Sequence, residues 1–164
     1  MAHQQTYLQV RDVIERIRGA HQRLRDALEE PRPYTTDSRA RLILEFLRWE
    51  EQELQISLGA LLRRDESAEI LDTWLQYIPD AELFQTLDAI KFQQEMSADE
   101  IAARKQEFDR ELIILLRQLR ETTALSRVRE FFAGLEGEID SRIKRTSWKL
   151  REYQGDEQPP QPGR

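Results

Sequence analysis

Four stretches in which an apolar residue recurs every three or four positions constrain this chain more than any other feature. That spacing matches the 3.6-residue turn of an α-helix, and each stretch is long enough for one amphipathic helix. The first runs from about Thr6 to Glu30, with Val10, Val13, Ile14, Ile17, Leu24 and Leu28 on one side. The second, about 37–64, follows Ile43, Leu47, Leu54 and Leu61. The third, about 97–122, carries Ile101, Phe108, Leu112, Leu115, Leu116 and Leu119. The fourth, about 126–153, carries Val128, Phe131, Phe132, Leu135, Ile139, Thr146 and Leu150. Thr6 with Gln9, and Ser97 with Glu100, have the spacing of capping boxes, and Pro31 and Pro33 end the first helix. Only six glycines and six prolines occur in 164 residues, and three of the prolines lie in the last six. That scarcity favours long uninterrupted helices over a turn-rich sheet. The expectation is an all-α fold: one helical-bundle domain over 1–153 and a polar, Pro-rich, disordered tail over 154–164.

The links between the helices are unequal. Short links join the first to the second and the third to the fourth, so each pair should form an antiparallel hairpin. The connector 65–96 is too long for a structureless loop in a compact domain. It contains two apolar-periodic pieces, "AEILDTWLQYI" and "AELFQTLDAI", separated by Pro79. Two short helices crossing the bundle account for them. A helix of 27 residues is about 40 Å long, which the connector can span. The second and third helices can then run parallel, giving two hairpins joined by a long crossover. Plain up-down topology with an extra docked helical pair is the other arrangement.

Several polar residues fall on or beside the apolar stripes. They are His21 on the first helix, Glu50 and Glu53 on the second, Asp109 and Glu111 on the third, and Glu138 and Arg142 on the fourth. Each lies in the middle of its helix, so helices packed in register would bring them into one polar layer. A buried charge needs a partner or a metal. Either Glu50 belongs to a metal site, or Arg142 neutralises it with Glu138 and His21 completing the network. In a third arrangement the second helix is rotated and Glu50 reaches solvent or an oligomer contact.

Composition narrows the function. There is no cysteine, which excludes disulfides, thiolate zinc sites and cysteine nucleophiles. The net charge of −6 argues against general nucleic-acid or anionic-membrane binding. The arginine clusters "RIRGAHQRLR" and "SRIKRTSWKLR" have the character of solvated helix faces with i,i+4 ion pairs. The N-terminal stretch lacks the apolar core of a signal peptide and no run is long enough to span a membrane, so a cytoplasmic location is expected. There is no P-loop, no Gly-rich dinucleotide fingerprint and no serine with an evident base. These absences favour a non-catalytic protein.

The two hairpins, the crossover and the mid-helix carboxylates resemble a ferritin-like four-helix bundle of the rubrerythrin kind. "LRWEEQEL" resembles that family's second-helix metal segment, and "ILDTWLQYIPD" looks like the crossover of uncharacterised bacterial members. The resemblance covers about residues 6–153. It implies iron or manganese held by a bridging Glu on two helices and Glu-x-x-His on the other two. The chain departs from that pattern: Glu50 is followed three residues on by Glu53, Glu136 by Ile139 and Glu138 by Ser141, and the only histidines are His3 and His21. The conventional di-iron site is therefore expected to be lost. The alternative is an all-carboxylate site for iron, manganese or magnesium drawn from Glu50, Glu53, Glu111 and Glu138. Association with a second copy or another protein is the expected function, with Trp49, Ile56, Trp74, Tyr77, Phe84, Ile114 and Trp148 as candidate interface residues. The plain alternative for the aromatics among them is burial of the connector helices against the bundle.

Overall fold

The computed structural model describes residues 8–76, 81–93 and 95–154. Thr6 and Tyr77 lie outside them. The described residues form six helices and no strands: α1 (Val10–Glu29), α2 (Ser38–Leu62), α3 (Ala68–Leu71), α4 (Ala81–Asp88), α5 (Ala98–Thr122) and α6 (Ser126–Gln154). None of the helices among the described residues is long and apolar enough to cross a membrane.

Local chemistry sets the helix ends. α1 starts at Val10, later than the periodicity alone suggests, because Asp12 Oδ2 accepts the Gln9 N–H at 2.9 Å and closes the first turn. At α2, Asp37 is the N-cap and accepts from the N–H groups of Arg39 and Ala40. Ser97 does the same for α5, accepting from Glu100 N–H at 3.1 Å. A short 3₁₀ turn, Arg32–Tyr34, reverses the chain between α1 and α2.

Side-chain pairing gives the helix directions. Glu29 at the end of α1 meets Arg48 at 3.0 Å, while Arg11 at its start donates to the Leu62 carbonyl at the far end of α2 at 3.3 Å. These two helices are therefore antiparallel. α5 and α6 form the second antiparallel hairpin, with Glu136 between Arg117 and Arg120. Across the hairpins, Phe46 meets Tyr153 at 5.9 Å between ring centroids, and Arg142 donates to Ser57 Oγ at 3.0 Å. Ascending α2 thus means descending α6, so α2 and α5 point the same way.

The connector is less helical than its periodicity implies. Among its described residues, the first piece makes only the single turn of α3. Thr73–Leu75 then runs extended and exchanges backbone hydrogen bonds with the start of α1: Val10 N to Thr73 O at 3.0 Å and Leu75 N to Leu8 O at 2.8 Å. α4 lies against α1, where the Arg16 guanidinium sits 4.2 Å from the Phe84 ring centre and Arg23 pairs with Asp88 at 2.6 Å. Phe84 and Leu87 are buried. Phe84 is therefore a core residue and not an interface residue. Between the long helices lies a continuous core that includes Ile14, Ile17, Leu44, Leu47, Phe108, Leu112, Leu116, Phe132 and Ile139.

Candidate functional site: a buried ionic quartet

Four polar side chains occupy positions that the apolar stripes reserve for the core. His21 lies between Ile17 and Leu24 on α1, and Glu51 between Leu47 and Leu54 on α2. On α5, Lys105 lies between Ile101 and Phe108, and Asp109 one turn later before Leu112. All four are almost wholly buried, none more than 5% exposed. Each interrupts the apolar series at i±3 and i±4, so packing the stripes brings them together.

The ammonium of Lys105 is the centre of the group. It donates to Glu51 Oε1 at 3.1 Å and to Asp109 Oδ1 in a closer contact. The other Glu51 oxygen, Oε2, pairs closely with His21 Nδ1. The His21 ring meets the edge of Phe108 at 5.0 Å. Beside them is a cavity of about 20 Å³, lined by the quartet together with Glu50, Leu54, Leu112, Ile139, Arg142, Ile143 and Thr146. That is room for one water molecule.

Burial disfavours each charge, and the neighbours decide the outcome. For Glu51, desolvation pushes upward, but Lys105 and His21 together pull the carboxyl from its ordinary 4.5 down to about 2. Lys105 also suffers desolvation, yet Asp109 and Glu51 hold it well above its ordinary value. For Asp109 burial prevails over the pull of Lys105, Glu51 adds repulsion, and the carboxyl is pushed up. Two carboxyls face one fixed ammonium, so one further proton makes the quartet neutral.

The sequence-derived candidates separate on this frame. His21 and Asp109 belong to the quartet. Glu50 does not point into the centre of the core. It is half-buried in the cavity wall, because adjacent residues on a helix lie about 100° apart and Glu51 takes the inward position. Arg142 is likewise half-buried in the wall and held by Ser57, so it is not the cation of the central carboxylate; Lys105 is. Glu53 is half-buried on the outer side of that wall, and Glu111 is half-buried on α5. Neither lines the cavity. Glu138 is exposed, and the inward acid of α6 is Glu136, clamped by two arginines of α5. Trp49, Ile56, Trp74, Ile114 and Trp148 are all exposed.

This donor set does not fit a metal ion. Glu50, Glu53, Glu111 and Glu138 do not converge, and among the described residues no group of three or more His, Asp or Glu is arranged to hold one. The ligands that do converge already surround an ammonium. Lys105, kept protonated, is also a poor nucleophile or base. No family model, no curated protein and no solved structure matches the chain.

Proposed function

We propose that this chain is a ferritin-like bundle whose central site is structural, and that it acts by association with itself or another protein and not by catalysis. Two antiparallel hairpins, a long connector and α2 running parallel to α5 support the ferritin-like arrangement. The observation that carries the functional reading is the Lys105 ammonium between Glu51 and Asp109. It stands between the two carboxyls where a metal ion would stand, and its single charge neutralises one of them. The association reading rests on Leu42, Trp49 and Ile56, three exposed apolar side chains seven residues apart along the outer face of α2. The runner-up is a carboxylate metal protein binding iron or manganese.

Metal analysis separates the two. Protein produced with iron and manganese supplied, then dialysed without chelator, should carry far less than one metal ion per chain. Near-stoichiometric metal that disappears on Glu51→Gln would sink the structural reading and favour the runner-up.

A further inference from the structure

A second depression lies outside the quartet, between α2 and α6. It has a volume of about 380 Å³ and is lined by Phe46, Trp49, Glu50, Glu53, Arg142, Arg145 and Lys149. Its charges are segregated by wall. α2 contributes two carboxylates one turn apart, and α6 contributes three cations spaced i, i+3 and i+7 on one face. Among the described residues no ion pair crosses from Glu50 or Glu53 to these cations. Arg142 is held back by Ser57, and Lys149 by Glu152 at 3.1 Å. Phe46 and Trp49 supply an apolar surface at the same place.

We propose that this groove binds a small zwitterion, a free amino acid with an aromatic or apolar side chain. Its ammonium would face Glu50 and Glu53, its carboxylate would face Arg142 and Arg145, and its side chain would lie on Trp49 and Phe46. The volume falls at the small end of the range of ligand sites, about 300–1,000 Å³. Complementarity also favours a ligand of both signs. A simple anion would leave the α2 carboxylates unanswered, and a simple cation would leave the arginines so. Burial pushes the Glu50 carboxyl up even though Arg142 and Arg145 pull the other way. Glu50 and Arg142 also form the partition between the groove and the inner cavity.

The test uses the full chain with Trp74→Phe and Trp148→Phe, leaving Trp49 as its one tryptophan. Three probes of one shape are titrated by Trp49 fluorescence and by calorimetry: L-phenylalanine, phenethylamine and 3-phenylpropionate. L-Phenylalanine should bind saturably, with the amine and the acid each about tenfold weaker or worse, a difference of about 1.4 kcal/mol. Glu50→Gln and Arg145→Gln should each weaken L-phenylalanine by a similar factor. The proposal is overturned by no saturable response to L-phenylalanine up to about 10 mM, by either single-charge probe binding as tightly, or by both variants binding like the parent. Trp49 also lies on the α2 line proposed for association, so the titrations are made at a chain concentration where light scattering gives one mass with and without ligand; none of these outcomes bears on the metal analysis above.

Discussion

Glu51 concentrates the electrostatics of the interior in one residue. Its carboxyl is depressed from 4.5 to about 2 in the folded chain, so its stabilising contribution is fully present above pH 4.5 and is lost as pH falls toward 2. The size is ~3 kcal/mol, since each tenfold change in proton affinity is worth about 1.4 kcal/mol. Asp109 works in the opposite sense: a carboxyl raised by folding costs stability as pH climbs past its ordinary 3.8. Lys105 stabilises below 10.5 and ceases to do so as pH rises through its higher folded value. Denaturant unfolding between pH 6 and pH 2.5 should therefore show a steeper acid loss in the parent than in Glu51→Gln; parallel curves would remove Glu51 from this role. Half of the quartet is legible in the sequence, since His21 and Asp109 interrupt their stripes visibly. Glu51 and Lys105 escape it for two physical reasons. Glu50 and Glu51 are adjacent, and a stripe traced through Ile43, Leu47, Leu54 and Leu61 favours the first, whereas the buried series Leu44, Leu47, Leu54 and Leu58 selects the second. A lysine at a core position draws no notice because lysine is seldom fully buried without a partner.

Among the elements, α6 is the longest helix and the one with slack in it. Gly134 and Gly137 sit in its exposed middle, and an added Cβ at either would meet nothing within 4 Å among the described residues. Glycine costs a helix interior about 1 kcal/mol relative to alanine. Gly134→Ala and Gly137→Ala should each raise the unfolding free energy by about that amount; a loss of stability in either would overturn this account of the helix. Gly59 in α2 differs, because its added Cβ would come within 3.2 Å of the Arg18 guanidinium. The long helices are legible because their periodicity reports burial, and burial is what holds them. Periodicity overstates α3 for the same reason. Leu71 and Leu75 are both buried, which helical spacing explains, but Thr73–Leu75 reaches its place as extended chain paired with α1. A tertiary backbone contact of that kind leaves no periodic trace.

At the scale of the whole molecule, the surface carries an apolar line that the described residues leave uncovered. Leu42, Trp49 and Ile56 are 50%, 59% and 56% exposed and share one face of α2. If that line is the association surface, light scattering at high micromolar concentration should return the mass of two chains, and Trp49→Ser with Ile56→Ser should return one. A parent that is monomeric throughout would direct attention to a different protein partner. The all-helical class and the hairpin pairing follow from segment lengths and link lengths, whereas the relative direction of α2 and α5 needs the cross-hairpin contacts of Phe46 and Arg142.

The quartet is divided evenly between the hairpins: His21 and Glu51 come from the first, Lys105 and Asp109 from the second. Leucine-rich surfaces alone would let the hairpins slide past one another by a turn, about 5.4 Å, with little change in buried area. Such a slip would cost the ammonium its bond to Glu51, leaving it with Asp109 on its own helix, and would leave Glu51 with His21 alone. The polar layer thus acts as a key that admits one alignment and penalises its neighbours, trading some cohesion for a unique fit.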